Sequence, residues 1–270
     1  MSESTTESGF DTILSFLEEE CGFQANCYER SYLKRRIRAR LRRTEPEDYT
    51  AYHELLVDDP DERVELVDAL SINVTKFFRN PEVWTALQPY LRKRYDERGS
   101  VSCWSAACAD GREPYSMAIM AAEDPTIDQS SVDILATDID PNALDAASRG
   151  RYQSTRTHDI AEELDWLSSV DSYFSNEEGT YEIESTIKSM VSFEQHDLVG
   201  QNPPGSFDIV MCRNLLIYIE SEAKRAIFDT LIGSLYPGGY LVIGMSETIP
   251  RDLFEVVEPV DRSRRIYRRI

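Results

Sequence analysis

The sequence predicts an α/β fold: a wound, mostly parallel sheet of seven strands, preceded by a small all-helical domain and interrupted by a small antiparallel β insertion. Three observations carry this. Up to Tyr95 the apolar residues recur at helical spacing. After Arg98-Gly99 short apolar runs alternate with helical stretches. The final two runs lie close enough together for an antiparallel hairpin. A chain of 270 residues suits one large or two modest domains at roughly 150 residues each.

In the helical part, Phe10, Ile13, Leu14 and Leu17 recur at three- and four-residue spacing, and Leu33, Ile37 and Leu41 at four-residue spacing. Proline-containing acidic breaks at Thr44–Asp48 and Asp58–Asp61 supply N-cap residues between helices. The chain divides into a helical domain over 1–70, a linker and interdomain helix over 71–98, and an α/β domain over 99–270. Strands are expected at Val101–Ala107, Val132–Thr137, Met190–Gln195, Phe207–Arg213, Tyr240–Gly244, Phe254–Glu258 and Arg265–Arg268. The segment from Asp140 to Ser189 is too long to be a plain loop and predicts an antiparallel insertion at about 171–189, turning at Asn176–Thr180.

Lysine plus arginine total 29 against 49 aspartate plus glutamate, a net charge of −20, which argues against a general nucleic-acid-coating or anionic-membrane-binding surface. The polar start MSESTTESGF lacks a basic region followed by an apolar stretch, and no apolar run approaches the roughly 18 residues of a membrane span, so a cytoplasmic protein without membrane insertion is expected. Five cysteines without a CxxC pair read as reduced core or loop residues, and three scattered histidines make a metal-dependent mechanism improbable. Only five of the basic residues are lysine, and this acid-rich, lysine-poor composition suits a salt-accumulating microbe.

Three stretches carry chemistry. Val101–Ile119 reads as a buried strand, a loop of small residues and a helix, the arrangement by which backbone approaches a nucleotide-like ligand, although Gly111 is its only glycine. Ser105, Ala106, Ala107 and Ala109 suit helix–sheet packing equally well. The second strand ends at Asp138, where an acid commonly accepts both hydroxyls of an adenosine ribose; Asp140, just before Pro141, suits a helix N-cap better. The fourth strand runs into Cys212-Arg-Asn-Leu-Leu-Ile-Tyr218, which puts an amide and a phenol past the sheet edge where open α/β folds bind ligands. Capping by Asn214 and packing by Tyr218 are the structural alternatives.

Together these stretches resemble the CheR family of chemotaxis receptor glutamate methyltransferases. The resemblance covers nearly the whole chain: the basic helix around Tyr32–Arg38, Ser71-Ile-Asn-Val-Thr-Lys-Phe-Phe-Arg79, the SAACADGREPYS loop, ATDID, His196-Asp-Leu198, FDIVMCRNLLIY and LYPGGYLVIGMSE. One departure is Arg112, where the family commonly carries the first of two acids after glycine. The resemblance implies a class I S-adenosylmethionine-dependent methyltransferase with a Rossmann-like seven-stranded sheet, closed by the terminal hairpin. It implies that S-adenosylmethionine, leaving as S-adenosylhomocysteine, is held by Asn73, Thr75, Arg79, Glu113, Asp138, Asp197, Leu198, Asn214 and Leu215. It further implies that Arg79 and Tyr218 lie closest to the transferred methyl group, and that methyl-accepting chemotaxis receptors are the partners.

Methyl transfer from a sulfonium to a carboxylate needs no general base, since glutamate is ionised at neutral pH. This fits a chain without a Ser/His/Asp or Cys/His arrangement. Arg30–Arg43 carries eight basic residues and no acid. A helical wheel buries Leu33, Ile37 and Leu41 and turns Arg35, Arg38 and Arg42 outward, which predicts a receptor-facing helix over 30–43. Two rival functions are a methyltransferase acting on RNA or a small molecule, and a non-catalytic module that senses the cofactor. The first would favour Asp/Asn-Pro-Pro-Tyr where this chain has Asn214-Leu-Leu-Ile, and the second would tolerate loss of Arg79 or Tyr218, both of which are present.

Overall fold

The structure, a computed structural model, describes residues 3–70, 75–154 and 159–270. It divides into two compact units, one made of Met1–Ile72 with Tyr218–Lys224 and the other of Asn73–Ile217 with Arg225–Ile270.

The first unit is helical: α1 (Glu3–Cys21), α2 (Arg30–Leu41), α3 (Tyr49–Asp58) and α4 (Pro60–Leu70). Its core collects the expected stripes, Phe10, Ile13 and Leu17 from α1 with Leu33 and Ile37 from α2, and adds Tyr52, Leu56, Leu66 and Leu70. Both acidic breaks cap helices: Asp48 accepts the amide of Ala51 at 3.0 Å, and Asp59 accepts that of Asp61 at 2.9 Å. Buried Glu62 holds three of the helices together, accepting two bonds from Arg40 of α2 at 2.8 and 2.7 Å and one from the Tyr52 hydroxyl of α3 at 2.6 Å. The segment from Tyr218 joins this unit through its main chain. Glu29 donates to the Tyr218 carbonyl at 2.9 Å and Glu220 to that of Cys27 at 2.8 Å.

The second unit opens with α5 (Pro81–Arg98), followed by β1 (Val101–Ala106), α6 (Arg112–Ala122), β2 (Val132–Asp138) and α7 (Pro141–Arg149). Next come β3 (Arg151–Gln153), α8 (Ile160–Glu163), β4 (Phe174–Glu177), β5 (Thr180–Ile183), α9 (Ser185–Lys188) and β6 (Val191–Gln195). The chain closes with β7 (Phe207–Cys212), α10 (Ser221–Gly233), β8 (Leu235–Ile243), β9 (Val257–Asp261) and β10 (Ile266–Arg269). The main sheet has seven strands in the order β6-β2-β1-β7-β8-β10-β9, with the first five parallel and the last two antiparallel. Every residue of β7 is buried, as a central parallel strand covered on both faces requires.

At the amino end of this sheet Asp208, 1% exposed, accepts two bonds from Arg94 of α5, at 3.0 and 2.8 Å, and the amide of Ser102 at 3.1 Å. These bonds fix α5 against β1 and β7.

The fold class agrees with the sequence reading, and three local expectations do not. The fifth strand, expected at Tyr240–Gly244, begins five residues earlier as β8, where Leu235 pairs with Phe207 of β7. The sixth strand starts at Val257 rather than Phe254, because Arg251–Glu255 coil into a 3-10 turn. Pro259 is accommodated because β9 is an edge strand. The small sheet also begins earlier than expected: β3, only three residues after Gly150, joins β5 and β4 in the order β3-β5-β4. The β4–β5 turn is where the sequence put it, with Glu178 and Gly179 at φ of 50° and 83°, as a tight hairpin needs.

Candidate active site

In the parallel part of the sheet β1, β2, β6, β7 and β8 end on one edge at Ala106, Asp138, Gln195, Cys212 and Ile243. β1 pairs with β2 on one side and β7 on the other, so the strand order reverses there, the place beyond the carboxyl ends where open α/β sheets bind ligands.

The loop after β1 lines this edge with main chain. Ala107, Ala109 and Gly111 have φ of 58°, 50° and 87°, an alternation that only small side chains tolerate cheaply. A Cβ on Gly111 would lie 2.8 Å from that of Ala147 in α7, so glycine is also required for helix packing. Asp138 pins the loop: one carboxylate oxygen accepts the amide of Ala109 at 2.8 Å and the other that of Asp140 at 3.0 Å. Each oxygen retains a further lone-pair direction. Burial pushes the Asp138 carboxyl above its ordinary range, against the pull of these amides. Asp140 takes the N-cap role, accepting from Asn142 at 2.8 Å.

Glu113, in the first turn of α6, is buried and accepts the Ser105 hydroxyl at 2.9 Å. Its other oxygen lies 3.8 Å from Nη1 of Arg213, just past β7. Burial pushes Glu113 up and Arg213 down, and each opposes the other's shift by mutual attraction. Nη2 of Arg213 donates to the carbonyl of Arg79 at 3.0 Å and to the Asn80 side chain at 2.9 Å, so this guanidinium links the Glu113 wall to the Arg79 wall.

The segment before α5 is held by its main chain. Arg112 donates to the Thr75 carbonyl at 3.0 Å, Glu163 accepts the amide of Phe77 at 2.9 Å, and Ser116 accepts that of Phe78 at 3.0 Å. The family departure at Arg112 therefore has a structural use, as a tie to the segment carrying Thr75 and Arg79. Asn73 lies outside the described residues.

Beyond β6, Asp197 caps its own turn, accepting from Val199 at 2.9 Å, and Leu198 is buried. Beyond β7, Asn214 adopts φ 65°, and its side-chain oxygen is buried without a hydrogen-bond partner among the described residues. Thr75, Arg79, Glu113, Asp138, Asp197, Leu198, Asn214 and Leu215 all belong to the α/β unit. Tyr218 groups with the helical unit, its ring 4.7 Å from that of Tyr32, as do Arg35, Arg38 and Arg42. The sequence reading takes Ser105 only as a small residue near the β1 loop and assigns no role to Arg213 or Glu247. An arginine ending an apolar strand and an acid four residues past β8 are the signals that mark the last two.

These residues fit an adenosyl amino-acid ligand. The β1 loop offers close main-chain approach, Asp138 has lone pairs for ribose hydroxyls, and the Asn214 oxygen lacks a donor.

Residues 73–263 match the family model described as the CheR methyltransferase SAM binding domain, and residues 8–71 match that of the CheR methyltransferase all-alpha domain. The chain belongs to the CheR methyltransferase family. It is an S-adenosylmethionine-dependent methyltransferase. The chain is 33% identical over 235 residues to a chemotaxis protein methyltransferase of Listeria monocytogenes, covering 86% of this chain and 87% of the relative. It is 28% identical over 258 residues to chemotaxis protein methyltransferase 2 of Vibrio cholerae, covering 91% and 87%. Among solved structures, a DhpI–SAH complex is similar at 15% identity and a TM-score of 0.34, covering 70% of this chain and 69% of that one. Among the described residues no helix is long and apolar enough to cross a membrane.

Proposed function

We propose that this CheR methyltransferase transfers the methyl group of S-adenosylmethionine to glutamate side chains of methyl-accepting chemotaxis receptors, forming glutamyl methyl esters. The observation that carries the choice of substrate is the exposed face of α2. Arg30 and Lys34 pair with Glu7, and Arg40 with Glu62. Arg35, Arg38, Arg42 and Arg43 are exposed, with no acid in ion-pairing distance among the described residues. A row of unneutralised arginines on a protein of net charge −20 suits an acidic helical partner, since each guanidinium can hold a carboxylate through two parallel bonds.

When bound, S-adenosylmethionine would supply a methyl group on a sulfonium centre to an ionised carboxylate oxygen, the sulfur–methyl bond breaking as the oxygen–methyl bond forms and the sulfur leaving as the neutral thioether of S-adenosylhomocysteine. The chain's own residues bind and orient. Asp138 and Glu113 accept donors of the nucleoside and amino-acid parts, Thr75 and Asn214 add polar contacts, and Leu198 and Leu215 supply apolar surface. Asp197 contributes from the turn after β6. Arg79 and Tyr218 are assigned to the neighbourhood of the methyl group by resemblance to the family. No general base is needed, because the acceptor's ordinary pKa of about 4.3 leaves it ionised at neutral pH.

Mass spectrometry of receptor peptides after incubation with enzyme and S-adenosylmethionine tests this reading. It requires methyl groups on glutamates; methyl groups confined to lysine, arginine or RNA would overturn it.

A further inference from the structure

Glu247 is 3% exposed and lies four residues past the end of β8. One carboxylate oxygen accepts the amide of Leu216 at 2.8 Å, and the other accepts the amide of Gly244. Burial pushes the Glu247 carboxyl up, and the nearby main-chain amides, those of Gly244, Asn214, Leu216 and Ile217, pull it back. One hydrogen-bond donor comes from the loop after β7 and one from the turn after β8, so a single side chain ties together the ends of two adjacent strands.

The joint leaves no spare room. A Cβ on Gly244 would lie 2.7 Å from Oε2 of Glu247 and 2.9 Å from the amide nitrogen of Asn214. Asn214 sits at φ 65°, in the left-handed region that asparagine enters more readily than most residues. Its main chain is confined there by the close approach of Gly244 and by the bond from Leu216, two residues on, to Glu247. The Asn214 side-chain oxygen, buried and without a partner among the described residues, is thus held in place from behind by its own main chain.

We propose that Glu247 is a positioning residue for methyl transfer: by holding the amides of Leu216 and Gly244, one on each oxygen, it locks the loop after β7 in the form that lets Asn214 hold the cofactor. The proposal rests on the reading that Asn214 contacts S-adenosylmethionine. A carboxylate is required rather than an amide. Both partners are N–H donors, one on each oxygen, and the –NH2 group of a glutamine would face an N–H with nothing to accept it.

The test is calorimetric titration of S-adenosylhomocysteine into the full chain and into Asn214→Ala, Glu247→Gln, Glu247→Asp, Gly244→Ala and the Asn214→Ala/Glu247→Gln double variant, each checked for a cooperative melt. Glu247→Gln is expected to weaken binding about tenfold or more, with Glu247→Asp recovering part of the loss because a carboxylate is restored. Gly244→Ala, which crowds the same joint without touching the acid, is expected to weaken binding as well and covers the case in which Glu247→Gln does not fold. In the Asn214→Ala background the Glu247→Gln effect should largely vanish, a coupling that general loss of stability would not produce. If Asn214→Ala weakens binding while folded Glu247→Gln and Gly244→Ala bind as the parent does, the positioning role is overturned and the cofactor reading stands. If Asn214→Ala binds normally, the reading of Asn214 fails and the positioning role fails with it.

Discussion

The carboxylate of Asp138, at the end of β2, accepts the amide of Ala109 in the loop after β1 at 2.8 Å. One acid thus shapes the small-residue loop and keeps lone pairs for a ligand. Asp138→Ala is expected to weaken S-adenosylhomocysteine binding by about 1.5–3 kcal/mol, the worth of charged hydrogen bonds, while the protein still folds. Asp140→Ala is the control. It removes a helix cap that accepts from Asn142 at 2.8 Å and should cost about 1 kcal/mol of stability with binding unchanged. Calorimetry and denaturant midpoints on the two variants separate these outcomes. Equal affinity in both would reduce Asp138 to a structural residue.

Burial holds the carboxyls of Glu113 and Asp138 above their ordinary values of 4.5 and 3.8. Both are needed ionised to accept ligand donors, so affinity for S-adenosylhomocysteine should begin to fall at a higher pH than an ordinary carboxylate would dictate. Binding at mildly acidic pH should release protons. The effect on folding has the opposite sign. A carboxyl raised in the fold contributes most to stability below its unfolded value, and that contribution is lost as pH rises through the folded value. Titrations in two buffers of different ionisation enthalpy, from neutral pH downward, read the proton release directly. Affinity that stays constant down to 4.5, with no proton exchange, would contradict the assignment of these two acids to the ligand.

The Tyr218 ring packs 4.7 Å from that of Tyr32, and phenylalanine preserves that packing. Tyr218→Phe should therefore fold normally, bind S-adenosylhomocysteine as the parent does and turn over about tenfold more slowly, as the loss of one hydroxyl interaction in the transition state predicts. Single-turnover methylation at saturating cofactor measures this. An unchanged rate would remove Tyr218 from the reaction.

Residues that act on a ligand were more legible in the sequence than residues that act on the backbone. Asp138 and Asn214 lie at or just beyond apolar runs, so strand patterning places them on the ligand-binding edge, whereas Glu113, in the first turn of α6, is named only through the resemblance to the family. Glu247 and Arg213 bond mainly to groups far along the chain, Leu216 in one case and Arg79 in the other, and no local pattern records such partners. The start of β9 was misread for a different reason. Phe254 looks like strand, but it is exposed, and Arg251–Glu255 form a 3-10 turn closed by local bonds from Leu253 to the Pro250 carbonyl and from Val256 to that of Leu253. β3 is three residues long and gains its identity only by pairing with β5.

Arg35 and Arg38 are exposed on α2 and Arg42 at its C-cap, since the helix ends at Leu41 rather than running on to Arg43; Arg38 donates to the Tyr49 hydroxyl at 3.0 Å. Reversing their charge together should raise the Michaelis constant for receptor and leave cofactor affinity unchanged. With a Debye length of about 3 Å at 1 M salt, diffuse attraction is screened while close bidentate pairs survive, so the defect should persist in molar salt. Receptor methylation by parent and variant across a salt series decides it. Equal rates at every salt concentration would make this a solvated face.

The central claim is that the acceptor is a carboxylate, and the chemistry of the product tests it most directly. Receptor-containing membranes are incubated with the enzyme and methyl-labelled S-adenosylmethionine, and the labelled protein is then treated with mild base. The account predicts that the label leaves as methanol, since an ester hydrolyses under these conditions. Label that stays on the protein through base treatment would show methylation at nitrogen or carbon and contradict it.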